Sequence, residues 1–70
     1  MRNDNSQGSL VILRIRDVCR KTGLSRPTIY RLMSLGDFPK GHRLSRGTVG
    51  WSQAEVDRWI AERLGINEPQ

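Results

Sequence analysis

Between Arg16 and Leu35 the sequence sets out two short helical patterns joined at Thr22-Gly23-Leu24, and this pair constrains the chain more than anything else in it. Val18 and Cys19 fall on one side of the first pattern, Ile29 and Leu32 on one side of the second, so both predicted helices present an inward face to a common core. Gly23 ends the first helix, because glycine accepts the left-handed backbone a tight helix-to-helix turn requires. Cys19 supplies a small side chain where the two helices approach. Ser25 is a good N-cap for the second helix, and Pro27 falls in its first turn, where a missing N–H costs nothing. The second helix then offers Ser25, Arg26, Thr28, Tyr30 and Arg31 to the outside. That layout is a helix-turn-helix, whose second helix enters a DNA major groove.

The rest of the chain completes a small domain around this unit. Residues 1–9 are almost wholly polar and are expected to be a disordered tail. Leu10 to Leu13 form an extended segment expected to cover the core, and the first helix runs from about Arg16 to Thr22. Arg16 stands where a capping serine or threonine is usual, while Asp17 opposes the helix dipole in the first turn. The second helix is expected to end at Leu35, with Gly36 beyond it and Phe38-Pro39 plugging the open side of the core. From Lys40 to Trp51 the helical period is lost. His42 to Ser45 and Thr48 to Trp51 read as two short strands around Arg46-Gly47, a hairpin whose tip is basic. Ser52-Gln53-Ala54-Glu55 reads as a capping box opening a third helix, on which Val56, Trp59, Ile60 and Leu64 make one apolar stripe. Gly65 ends that helix. The expected fold is mostly α with a small β-hairpin, a winged helix-turn-helix of three helices plus wing, with a domain over 10–64 and a C-terminal tail over 65–70.

Charge supports a nucleic-acid partner. The net charge is +5, and residues 14–46 hold nine Arg or Lys against only Asp17 and Asp37, whereas residues 47–70 hold two arginines against four acids. A basic block on one part of a small domain is the electrostatic footprint of a protein that binds phosphate backbone. At 70 residues there is room for one domain and little for an enzyme cleft. No paired carboxylates or nucleophile–base set stand out, so an enzyme is not expected. Asp17 and Asp37 look like a helix-start and a turn residue. The single cysteine rules out an internal disulfide and a cysteine-based zinc site. No metal or cofactor is expected. The apolar run Leu10–Leu13 is too short to span a bilayer, and a cytoplasmic protein without membrane contact is expected.

Three blocks carry a family resemblance. Gly23-Leu24-Ser25-Arg26-Pro27-Thr28-Ile29-Tyr30-Arg31 resembles the TGLSRSTIYR stretch of the AlpA-type phage regulators. Gly36-Asp37-Phe38-Pro39 is similar to the GxFP that follows their recognition helix. Val49-Gly50-Trp51 and Val56-Asp57-Arg58-Trp59-Ile60 resemble their VGW…EVxxWI ending. The similarity covers Leu13 to Arg63, with Pro27 replacing the more usual serine. It implies a member of the excisionase and MerR-like winged helix-turn-helix group, acting in prophage regulation near an integrase gene or attachment site.

The expected function is therefore sequence-specific DNA binding by a phage or prophage transcriptional regulator. The recognition helix over about 25–35 would lie in the major groove and the wing over about 42–51 on the backbone or minor groove. The candidate DNA-binding residues are Ser25, Arg26, Thr28, Tyr30, Arg31, Lys40, Arg43 and Arg46. Arginine is the residue that pairs with both acceptors of a guanine edge or clamps a phosphate, and cations on a wing are drawn to the negative minor groove. Trp51 and Trp59 belong to the core rather than to a base-stacking surface. The expected partners are double-stranded DNA, a further copy on an adjacent site, and integrase or RNA polymerase. Two rival readings fit the same residues: an excisionase-like factor that bends DNA for site-specific recombination, and a protein-interaction adaptor for an integrase or polymerase subunit.

Overall fold

The computed structural model describes residues 10–66; the expected N-terminal tail over 1–9 and residues 67–70 of the expected C-terminal tail lie outside them. The element order is β1 (Ile12–Leu13), α1 (Ile15–Thr22), α2 (Arg26–Ser34), β2 (His42–Ser45), β3 (Thr48–Ser52) and α3 (Gln53–Leu64). Three helices and a small antiparallel sheet make a winged helix-turn-helix. The sheet has one strand more than the sequence implied. Its order is β1-β3-β2, with Ile12 opposite Ser52 and Leu13 opposite Trp51 on one side, and His42 opposite Gly50 and Arg43 opposite Val49 on the other. Gln53 donates to the carbonyl of Val11 at 2.9 Å, so β1 is tied to the chain just where α3 begins.

Each helix starts and stops for a local reason. α1 begins one residue earlier than expected, and its cap is Arg14, not Arg16: the Asp17 carboxylate accepts from the Arg14 N–H at 3.0 Å. Asp17 thus satisfies a free donor as well as opposing the dipole. Gly23, at φ +76°, closes the helix with its N–H on the carbonyl of Cys19. Ser25 caps the start of α2, its hydroxyl accepting from the Thr28 N–H. It ends one residue earlier than expected, at Ser34, with Leu35 as its cap; the N–H of Asp37 returns to the carbonyl of Leu32 at 2.8 Å, which turns the chain. In α3 half of the expected capping box forms: Ser52 Oγ accepts from Glu55 N at 3.3 Å, while the Glu55 carboxylate lies 3.6 Å from His42 Nε2 on the wing.

The core is Leu13, Val18, Ile29, Phe38, Trp51 and Val56, with Ile15, Cys19, Leu24, Leu32, Met33, Trp59 and Ile60 packed around it. Val18, Ile29, Trp51 and Val56 are completely or almost completely buried. Each removes enough apolar surface from water to stabilise the fold by about 1.5–3 kcal/mol. Trp51 also donates its indole N–H to the carbonyl of Pro39 at 3.1 Å, so the central ring is fixed by a hydrogen bond as well as by packing.

Two expectations about the core need correction. The segment Leu10–Leu13 does not cover it: only Leu13 is buried, because strand alternation turns Ile12 outward and Leu10 stands clear at 92 % exposure. Leu64 is also exposed, since the last turn of α3 runs past the elements that the helix packs on, and Ala61 is the buried residue near that end.

Candidate nucleic-acid interface

The sequence Arg-Pro-Thr-Ile-Tyr-Arg-Leu-Met-Ser makes α2 amphipathic with one anchor. Ile29 is fully buried, and this fixes the rotation of the helix about its own axis. Positions 27, 30, 31 and 34, spaced as i, i+3, i+4 and i+7, then form the outermost stripe. Pro27, Tyr30, Arg31 and Ser34 are all exposed. Arg26 is exposed on one flank of this stripe, and Thr28 is half-buried on the other.

Among the expected site residues, Ser25 and Thr28 carry structural tasks. Their hydroxyls lie 2.9 Å apart and Ser25 Oγ accepts from the Thr28 N–H at 3.3 Å, so both serve the start of α2. Arg26, Tyr30 and Arg31 are free of ion pairs among the described residues. Ser34, which the sequence reading passed over, sits on the outer stripe but donates its hydroxyl to the carbonyl of Arg31 at 2.8 Å.

The electrostatics single out the N-terminus of α2. α1 has Asp17 and α3 has Glu55 in the first turn, whereas α2 has no acid there. Its dipole end and Arg26 therefore reinforce each other without an internal counter-charge. The fold adds two further cations to this end. Arg14 and Arg16, at the start of α1, line an open cleft of about 370 Å³ together with Arg26. Three guanidinium groups around one cleft, with Asp17 the only acid lining it, form an anion-attracting surface beside the outer stripe of α2. The sequence signal for this was the Arg14-x-Arg16 pair, legible only once the start of α1 is known.

The wing residues divide. Arg46 stands at the hairpin turn next to Gly47, whose φ of +78° a side chain would strain, and Arg43 is paired opposite Val49. Both are exposed. Lys40 is also exposed but lines a different groove, of about 430 Å³, with Glu55, Arg58 and Glu62 of α3. Its charge is partly offset there, so the fold does not gather it with Arg26 and Arg31. Lys21, another cation of the basic block, is held by Asp57 at 3.0 Å and links α1 to α3.

The geometry can hold a polyanion against two basic surfaces, the outer side of α2 with its N-terminal arginines and the wing tip. Among the described residues no group of three or more metal-ligating side chains comes together, and no helix is long and apolar enough to cross a membrane.

Comparison with known proteins agrees with this architecture. A curated relative, the "DNA-binding transcriptional activator AlpA" of Escherichia coli (strain K12), is 37 % identical over 68 residues, covering 89 % of this chain and 97 % of its own length. A second, the uncharacterized protein ORF88 of Enterobacteria phage P4, is 42 % identical over 52 residues, covering 74 % of this chain and 59 % of its own. Residues 11–64, from β1 to the end of α3, match the family described as "Prophage CP4-57 regulatory protein (AlpA)". The fold, the order of the blocks around α2 and the wing, and that match together make this chain a member of the AlpA family of prophage regulatory proteins.

Proposed function

We propose that the protein binds double-stranded DNA in a sequence-specific way as a transcriptional regulator of phage or prophage type. α2 enters the major groove and the wing rests on the backbone or minor groove. The observation that carries this reading is the outer stripe of α2: Tyr30 and Arg31 stand exposed with Arg26 beside them, on a helix whose rotation is fixed by the buried Ile29. Arg26 and Arg31 are the base- or phosphate-contacting groups, and Tyr30 offers a hydroxyl that both donates and accepts. Ser25 and Thr28 contribute by holding the N-terminus of the helix toward a phosphate. Arg43 and Arg46 take backbone contacts, and Lys40 contributes only long-range attraction.

A regulator of transcription fits better than a purely architectural factor, because the relative that spans nearly the whole chain is named a transcriptional activator. A partner such as integrase or RNA polymerase is part of that reading, and so is a second copy on an adjacent site. No enzymatic step is assigned to it.

The test is a gel shift of the purified protein on genomic DNA flanking its own gene, with non-specific competitor, at two salt concentrations. A discrete shift that survives competitor and weakens with salt is the expected result. Binding abolished by competitor would overturn sequence specificity. Absence of binding at either salt would overturn the DNA reading and bring the adaptor role forward.

A further inference from the structure

The outer face of the sheet is apolar and open. Leu13 and Trp51 point into the core, so the alternating residues Ile12, Gly50 and Leu44 lie on the opposite side. Gly50 has no side chain, and its neighbours close over it from both strands. A Cβ placed there would lie 2.5 Å from Ile12 Cγ2 and 2.9 Å from Leu44 Cδ1. Leu10 and Val11 extend this surface into an open groove of about 350 Å³. The exposures are 92 % for Leu10, 55 % for Ile12, 44 % for Leu44 and 40 % for Val11. Scattered apolar side chains are ordinary on a surface, but a contiguous set of aliphatics marks an interaction site.

Two facts identify the occupant. First, the residues outside the described 10–66 include only Met1 as a hydrophobic side chain, so the rest of this chain has little apolar surface to lay on the groove. Second, no Lys, Arg, Asp or Glu lines it, and its one titratable side chain, His42, has the Glu55 carboxylate 3.6 Å away, in a chain that is 27 % charged with a net charge of +5. Two copies that approach through their basic faces repel one another. Through this face they bring aliphatic side chains together with no like charges in contact.

We propose that two copies meet here, outer sheet face against outer sheet face, around a two-fold axis. The patch is its own complement, as an isologous contact requires. The wing remains available while the contact forms, because Arg43 alternates to the other side of β2 and Arg46 sits at the hairpin turn. On DNA the two-fold axis demands inverted half-sites; this part rests on the DNA-binding reading above. A single module contacts few base pairs, so the contact supplies the second half of the specificity.

The experiment compares the parent with Leu10→Asp and Leu44→Asp on duplexes carrying one half-site, two inverted half-sites or two direct half-sites, across a series of spacings. The parent should bind the inverted pair about 10- to 100-fold more tightly than a single half-site. Both variants should lose that gain. Leu10→Asp should keep single-site affinity within about twofold, a change small on the tenfold scale of 1.4 kcal/mol. Leu44→Asp, on the wing between Arg43 and Arg46, also sets a carboxylate beside the phosphate contacts and is read by the lost gain alone. Leu10 is almost fully exposed, so Leu10→Asp decides the matter should Leu44→Asp lower the melting temperature. Cooperativity on direct rather than inverted repeats would overturn the proposal. So would cooperativity unchanged in Leu10→Asp, which would leave the face to a different protein. If the parent binds no half-site, the DNA reading fails, and sedimentation of the free protein settles the contact. A dimer lost in Leu10→Asp supports it, and a parent that stays monomeric at every concentration overturns it.

Discussion

The indole N–H of Trp59 donates to the backbone carbonyl of Asp37 across 2.6 Å, joining α3 to the turn that follows α2. Arg63 stacks over the same indole at 4.7 Å, and its guanidinium reaches the same carbonyl at 3.4 Å. Phe38 packs edge-on against the ring with centroids 4.8 Å apart. One side chain thus fixes where α2 ends relative to the helix that supports it.

Trp59→Ala should therefore cost about 3 kcal/mol, the low end for a large aromatic because the ring is only half-buried. A domain of this size holds only roughly 0.05–0.15 kcal/mol per residue, so the variant should lose a large share of its stability and melt well below the parent. Trp59→Phe keeps the stacking surface and loses the N–H, at about 1 kcal/mol. Thermal denaturation followed by circular dichroism checks both, and a Trp59→Ala protein that melts with the parent would contradict the role given to the contact.

Arg31→Ala and Arg26→Ala should each weaken DNA binding by about 1–3 kcal/mol, and whichever reads a base should relax preference at one position. Arg46→Ala should weaken all sequences alike and reduce the salt slope by about one. Binding isotherms over a salt series, with a randomised half-site, separate the two behaviours. Parent-like binding by all three variants would place the DNA on another surface.

Ser25→Ala removes the acceptor for the Thr28 N–H and the partner of the Thr28 hydroxyl. A loss of about 1 kcal/mol of stability is expected from the cap alone. An affinity loss that exceeds it, measured well below the melting temperature, would give the serine a direct contact with DNA.

Two glycines beside the sheet should respond differently to the same substitution. A Cβ on Gly41 would lie 2.6 Å from Val49 Cγ1 and 3.1 and 3.2 Å from two atoms of the Trp51 ring. Val49 can turn aside, but Trp51 is buried and hydrogen-bonded. At Gly50 the closest atoms are the Ile12 Cγ2 methyl and Leu44 Cδ1, on partly exposed side chains that can turn outward, and the one fixed neighbour, the Leu13 carbonyl oxygen, is farther off at 3.3 Å. Gly41→Ala should cost about 1–3 kcal/mol through overpacking, and Gly50→Ala less. Urea denaturation midpoints give the order, and the reverse order would mean that the outer aliphatics are held more firmly than their exposure implies.

The helix-turn-helix was legible because its signals are local: Gly23 at a left-handed turn, Ser25 as a cap, and Ile29 with Leu32 on an inward face. The hairpin showed itself in the loss of helical period and in Arg46-Gly47 at its tip. What stayed hidden depends on contacts across the chain. β1 is two residues long, and nothing within Leu10–Leu13 says that only Leu13 turns inward until its pairing with Trp51 is known. The cap of α1 was misplaced because Asp17 acts on Arg14 through space, and sequence preference looks for a serine or threonine side chain instead. The site followed the same division. Arg26 and Arg31 could be picked out from the helix they sit on. Their company of Arg14 and Arg16, the diversion of Lys21 to Asp57, and the placement of Lys40 among the acids of α3 are tertiary facts.

The strand pairing that brings Val11 beside Gln53 encloses both helices of the DNA-facing unit in one long loop of chain. Neither helix is long enough to persist alone in water, and of the residues that hold them, Trp51 belongs to the strand pair that closes the loop and Val56 lies beyond its far end. The recognition helix is consequently not a detachable module. It is presented correctly only when the ends of the domain have closed, a distant and slow contact to make. Selection for loss of regulation should then return alleles scattered through the buried positions of the whole domain as readily as alleles in the recognition helix, and a peptide cut after Leu35 should be inert however well its arginines match the groove.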